Sequence, residues 1–122
     1  MTLKKLLSLR ELSLIRDFKA KYPEIYDVAV YGSFVRGKLN VRDLDLAIIF
    51  AKAKLADKLK LAQELKQNLK NSNYEIDVKG VDFDDLLDKD FIAREAILSE
   101  GYSLFKKKRL SELFGFSNFY IF

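Results

Sequence analysis

Residues 31–50, YGSFVRGKLNVRDLDLAIIF, combine a glycine–serine pair, a short polar turn and two closely spaced aspartates. An apolar run precedes the pair, and Asp43 and Asp45 open a second apolar run. Gly32 lets the backbone turn sharply and lets a ligand approach the main chain, and Ser33 stands where a short helix can begin. Because the first N–H groups of a helix are unpaired, this turn is a candidate phosphate-binding site.

The two aspartates are predicted to face the same way. Successive side chains of a strand point to opposite faces, so Asp43 and Asp45 share one face and Leu44, Leu46 and Ile48 share the other. Two adjacent carboxylates repel each other, and a hard divalent cation between them makes the pair tolerable at neutral pH. The pair therefore predicts a Mg²⁺ site with phosphate oxygens among its ligands.

The rest of the chain predicts helices and strands arranged around these two motifs. Ser8 to Glu11 has the spacing of a helix-capping box, and Pro23 ends the helix that follows. We predict a single domain over residues 1–122, an α/β (α+β) two-layer sandwich whose small mixed sheet is flanked by helices, with its motif core at 26–81. The further predicted elements are strands over 27–31, 43–50 and 74–81, a helical turn over 33–37, a helix from 55 to near 71, short helices over 82–87 and 88–99, and an edge strand over 102–105.

Composition restricts the chemistry of the chain. Its 122 residues, 49% hydrophobic and 33% charged, are typical of a globular domain with its own core. Since there is no Cys and no His, a thiol nucleophile, a thiolate zinc site and an imidazole base are excluded, and catalysis has to use carboxylates and metal. Arg10 and Glu11 interrupt the N-terminal apolar run, and no stretch of about 20 apolar residues follows, so we expect a cytoplasmic protein without a membrane segment.

The C-terminal tail, residues 106–122, differs from the rest of the chain. It begins with four basic residues, 106-KKKR-109, and contains one acid, Glu112, so it carries three of the four net positive charges. A solvated surface accounts for so short a run, and a nucleic acid is not favoured as a direct ligand. Four of the ten Phe residues lie in the last nine positions. Such an apolar end packs on its own domain or is covered by a partner in a homo- or hetero-oligomer.

The order of the motifs resembles the signature of the DNA polymerase beta-like nucleotidyltransferase superfamily. YGSFVRG followed by DLDLAII looks most like the minimal nucleotidyltransferases (MNT), single small domains found as antitoxins paired with HEPN toxins. EIDV and the later EGYSLF extend the resemblance over roughly residues 12–105. The chain departs from the family at Arg42, where Ser usually precedes the first aspartate. An arginine there either binds phosphate or pairs with an acid.

The resemblance implies a third acid, supplied by a strand beside the Asp-x-Asp strand. Asp77 fits this position, and Glu75, on the same face, is the alternative. Two metal ions about 3.5 to 4 Å apart stabilise the attacking and leaving oxygens in such reactions, and the third acid can also accept the hydroxyl proton. Asp43, Asp45 and Asp77 are therefore the expected catalytic and metal-binding residues, with two Mg²⁺ ions.

The resemblance also implies the reaction, a transfer of AMP from ATP to a hydroxyl group. The expected acceptor is a tyrosine of a cognate HEPN RNase toxin, which would make the chain an antitoxin. ATP is expected to bind through Gly32, Ser33 and Arg36, although a structural ion pair explains Arg36 equally well. Two other functions fit the same residues: an antitoxin that neutralises its HEPN partner by binding alone, and a nucleotidyltransferase that acts on nucleic acid ends or a small molecule.

Overall fold

Five helices and four strands make up the described part of the chain, residues 9–35 and 42–114, in a computed structural model. A single turn of 3-10 helix, Gly32–Phe34, follows the first strand. None of the helices in these two ranges is long and apolar enough to cross a membrane. The elements are α1 (Leu9–Lys21), β1 (Ile25–Tyr31), β2 (Asp43–Phe50), α2 (Leu55–Asn68), β3 (Glu75–Asp82), α3 (Phe83–Leu87), α4 (Arg94–Glu100), β4 (Tyr102–Ser103) and α5 (Leu110–Leu113).

The strands form one mixed sheet in the order β3-β2-β1-β4. β1 pairs antiparallel with both β2 and β4, and β2 pairs parallel with β3. β2 is therefore flanked on both sides by a long strand. Its residues after the acids are apolar on both faces, which is the pattern of a strand with cover on each side.

The side chains of β2 alternate between two hydrophobic cores. Leu44, Leu46 and Ile48 belong to the first core, which α1 and α2 cover. Ala47 and Ile49 belong to the second core, which the short helices α3 to α5 cover. By the same alternation, Asp43 and Asp45 lie on the second face. Asp43 is exposed and Asp45 half-buried, so the cover of that face ends before it reaches the acids.

The edge strand β3 is held in place by α2 and by the start of α3. An ideal Cβ at Gly80 would lie 2.6 Å from the backbone oxygen of Lys58, so glycine is needed there for α2 to pack closely on β3. The ammonium of Lys58 lies 2.8 Å from Asp85 and 3.2 Å from Asp82. Asp82 and Asp85 also form a reciprocal capping box at the start of α3, with each side chain accepting the backbone N–H of the other at 2.9 Å.

The structure confirms the predicted α+β sandwich with a mixed sheet flanked by helices. β2 has the predicted bounds. Asp82 caps the short helix α3, as predicted. The predicted start of α4 was wrong, since the helix begins at Arg94 instead of Asp88 or Asp90. Asp88 accepts the backbone N–H of Asp90 at 2.9 Å, and this local turn competes with helix formation.

The tail packs on its own domain as far as Phe114. Leu110 is fully buried in the second core. The ring of Phe114 lies 5.9 Å from that of Tyr26 and 5.6 Å from that of Phe83, measured between ring centroids. The described part of the tail is therefore a structural element of this domain. Residues 115–122, and Ser8 with its predicted capping box, lie outside the described residues.

Candidate functional site

The turn after β1 requires glycine for two reasons. Gly32 has a φ of +79°, a backbone region that other residues rarely adopt. An ideal Cβ at Gly32 would also lie 2.5 Å from Oδ2 of Asp45. The buried ring of Phe34 anchors the turn and meets the ring of Tyr74 edge-on at a centroid distance of 5.4 Å. The sequence therefore places the buried backbone of this turn directly against the carboxylate of the second aspartate of β2.

The sheet places the predicted acids in two adjacent rows. Asp45 lies between Tyr31 of β1 and Asp77 of β3, in register with both. In the next row, Asp43 is in register with Glu75. Because neighbouring strands lie about 4.7–4.9 Å apart, Asp45 and Asp77, which are in register on β2 and β3, are neighbours. Asp43 lies two residues further out on the same face.

The pKa of the Tyr31 hydroxyl is affected by the carboxylates of this row. Tyr31 is 5% exposed. Burial raises the pKa of its hydroxyl well above the ordinary value, and the carboxylates of Asp45 and Asp77 raise that pKa further. Both carboxylates thus act on the same buried group, in agreement with the strand register. Tyr31 stays neutral at physiological pH and can only donate or accept hydrogen bonds there.

The side chain of Lys79 lies against this row. The ammonium of Lys79 is 3.3 Å from Oδ2 of Asp77, and the two side chains are 43% and 54% exposed. Lys79 follows Asp77 by two residues, so both point from the same face of β3. Arg42, the residue that departs from the family pattern, is exposed and forms no ion pair with another described residue. Its backbone oxygen accepts the N–H of Glu75 at 2.8 Å, which begins the pairing of β2 and β3.

The donor atoms of the row suit a magnesium ion that arrives with a nucleotide. Within residues 9–35 and 42–114, no group of three or more acidic, histidine or cysteine side chains is gathered closely enough to hold a metal by itself. Mg²⁺ is commonly bound through one or two carboxylates together with water and substrate phosphates, and not by an all-protein cage. Asp45 and Asp77 fit that arrangement. The three-acid site with Asp43 stays a prediction.

Two of the predicted nucleotide-binding side chains cannot be placed. Arg36 lies outside the described residues, and of Ser33 only the backbone belongs to the described part. Lys79 and Tyr31 were not among the predicted site residues. The sequence does give a positional signal for each, because Tyr31 directly precedes the glycine turn and Lys79 is two residues from Asp77 on the same strand face.

The fold and the row of acids define a class of protein. A glycine turn before the Asp-x-Asp strand and a further acid on the strand beside it are the placement that the resemblance to nucleotidyltransferases implies. The family described as "Polymerase beta, Nucleotidyltransferase" matches residues 14–110. The chain belongs to this family, and the superfamily predicted from the sequence is confirmed. A comparison with curated proteins finds no match.

Solved structures of toxin–antitoxin complexes contain chains with a similar fold. One is a tri-AMPylated HEPN toxin of Shewanella oneidensis in complex with an MNT antitoxin, at 22% identity and a TM-score of 0.51, covering 79% of this chain and 69% of that one. A second is the toxin–antitoxin MntA–HepT, at 23% identity and a TM-score of 0.50, with the same coverage. A third is a toxin–antitoxin with AMP-PNP, at 22% identity and a TM-score of 0.53, covering 76% and 71%.

Proposed function

We propose that this protein transfers AMP from ATP to a tyrosine hydroxyl of a HEPN-family toxin and thereby acts as its antitoxin, in the cytoplasm. The observation that carries the proposal is the register of Asp45 with Asp77 beside the glycine turn. Membership of the nucleotidyltransferase family supports the reaction type. The acceptor and the nucleotide are suggested by the solved complexes, which contain an AMPylated HEPN toxin and AMP-PNP.

The reaction places clear demands on the acids. The acceptor oxygen attacks the α-phosphorus of ATP, the bond from this phosphorus to the bridging oxygen of the β-phosphate breaks, and pyrophosphate leaves. The hydroxyl proton has to go to a base, and the half-exposed Asp77 is the carboxylate best placed to take it. Magnesium, when bound, supplies positive charge beside the phosphates. Asp43 and Asp45 would hold it, with Asp77 as the third ligand.

The glycine turn supplies a second binding element. With no side chain at Gly32, the Asp45 carboxylate lies against the backbone of the turn, so a phosphate whose metal ion is bound by Asp45 would lie beside that turn. The N–H groups at the start of the 3-10 turn are suited to phosphate oxygens. Ser33 and Arg36 complete this part of the proposal as residues that bind the triphosphate.

Label transfer from ATP tests the function directly. The protein is co-purified with its HEPN partner and incubated with Mg²⁺ and ATP labelled at the α-phosphate. We expect label on the partner, loss of label in Asp45→Asn and Asp77→Asn, and survival of the complex in both variants. Asp57→Asn is the matched control, because Asp57 is an exposed acid in the first turn of α2.

Each alternative gives a different result in this assay. An intact complex that neutralises the toxin while wild-type protein transfers no label would refute the proposal and leave neutralisation by binding. Transfer to RNA ends or to a small alcohol, with no transfer to the HEPN partner, would instead identify another acceptor. Equal labelling by the wild type and Asp45→Asn would show that the described acids do not carry the reaction.

A further inference from the structure

Lys79 is a half-exposed lysine whose ammonium points to one of the site acids. It lies in register with Ala47 on β2, one row inward from Asp45 and Asp77. Ala47 is fully buried and small, whereas Lys79 extends from the edge strand and keeps 43% of its side chain exposed. Its ammonium turns back to Asp77 at 3.3 Å. Lys79 is therefore paired with one of the three site aspartates.

We propose that Lys79 is a nucleotide-binding residue that exchanges partners, holding the Asp77 carboxylate in the free protein and a phosphate of the triphosphate in the complex. This inference rests on the proposed function, because it requires the same site to bind a nucleotide. It adds a residue that neither the motif nor the three-acid arrangement includes.

The exchange follows from the charges that enter the site. A divalent cation at Asp45 and Asp77 repels the ammonium from the carboxylate, and the triphosphate attracts the ammonium in the same event. An ion pair between two half-exposed side chains adds little stability, so little is lost when it opens. The four-carbon stem of lysine lets the compact charge move from one oxygen to another without a change in the backbone.

Two other described lysine pairs, those of Lys58 and Lys21, serve as comparisons. The ammonium of Lys58 is held by two carboxylates at 2.8 and 3.2 Å, and its side chain is 12% exposed, so it is a fixed part of the packing between α2 and α3. Lys21 forms an exposed pair with Glu64 at 3.2 Å, at the C-terminal end of α1. α1 covers the opposite face of the sheet from the acids. Lys21 is therefore a matched control for Lys79.

Two binding measurements with opposite expected signs test the proposal. Calorimetry measures Mn²⁺ binding to the nucleotide-free protein, and separately the binding of tripolyphosphate and of ATP in the presence of Mg²⁺. In Lys79→Met, we expect Mn²⁺ affinity to rise by about threefold to tenfold, because the competing charge is gone. We expect affinity for tripolyphosphate and ATP to fall by about tenfold. Lys79→Arg keeps the charge and should stay near the wild type, and Lys21→Met should change neither value.

The outcomes separate this inference from the proposed function. If both affinities fall in Lys79→Met, or if neither changes by more than about twofold, Lys79 is a structural or surface residue and the inference is wrong. Wild-type protein that labels its partner while Lys79→Met binds ATP normally would overturn the inference alone. Wild-type protein that binds ATP with the expected Lys79 dependence but labels no acceptor would overturn the proposed function alone. Wild-type protein that binds neither triphosphate would overturn both.

Discussion

Replacing Gly32 with alanine tests the geometry on which the site depends. Gly32 has a φ of +79°, and its ideal Cβ would lie 2.5 Å from Oδ2 of Asp45. The left-handed backbone costs a residue other than glycine about 1–2 kcal/mol, and a methyl group forced into occupied space costs about 1–3 kcal/mol. Alanine also restricts the unfolded chain, which offsets about 0.4–1 kcal/mol. We therefore expect Gly32→Ala to lower the free energy of unfolding by about 3 kcal/mol.

The same substitution in an Asp45→Ala protein separates the cost of the backbone strain from the cost of the clash with the Asp45 carboxylate. In Asp45→Ala the carboxylate is absent, so Gly32→Ala should then cost only about 1 kcal/mol, the strain of the backbone less the effect on the unfolded chain. Urea denaturation of the four proteins gives the coupling free energy between the two positions, which we expect to be about 2 kcal/mol. An equal cost in both backgrounds would show that the Asp45 carboxylate does not lie against Gly32, and the description of the site would be wrong.

Three further predictions concern stability and the tail. Burial would raise the pKa of Asp82, but the backbone N–H of Asp85 and the ammonium of Lys58 outweigh it and hold that pKa below the ordinary value of 3.8. The stabilisation from Asp82 is therefore present above pH 3.8 and is lost as the pH falls through the lower pKa that Asp82 has in the folded protein. The urea midpoint of the wild type should fall over this pH range, and that of Asp82→Asn should change less. Leu110→Ala should lower the free energy of unfolding by about 2–4 kcal/mol, since Leu110 is fully buried, whereas Leu87→Ala at a 57% exposed position should cost under about 0.5 kcal/mol. A chain that ends at Phe114 keeps the described core. If residues 115–122 form the surface that binds the HEPN partner, this chain should lose HEPN binding in a pull-down. Unchanged binding would place the partner surface elsewhere.

Sequence patterns predicted the parts of the fold that local rules control. The alternation of β2, with acids as its first and third residues, gave both the strand and the shared face of Asp43 and Asp45. The capping residue Asp82 gave the start of α3. These features depend on neighbours in the chain, and the family resemblance supplied the pairing of β2 with β3 that local rules do not give.

Other features depend on contacts between distant residues and were not predictable in this way. Asp27, taken as the start of β1, is fully buried, and the strand begins before it at Ile25. Ser103 makes this possible by donating its hydroxyl to the Asp27 carboxylate at 2.6 Å from 76 residues further along the chain. The contact between Lys79 and Asp77 likewise required the position of both side chains. The alternation of side chains along a strand indicates which residues share a face, but it does not show which lysine forms an ion pair with an acid.

The edge position of β3 decides from which direction an acceptor reaches the acids. In the described part of the chain no strand lies beyond Asp77, so the row is accessible sideways, in the plane of the sheet, as well as from above. A side chain on the surface of another folded protein can enter along this lateral route while its own domain remains outside. The same openness encloses a small alcohol poorly, so under the proposed function selectivity would come from the match between two protein surfaces.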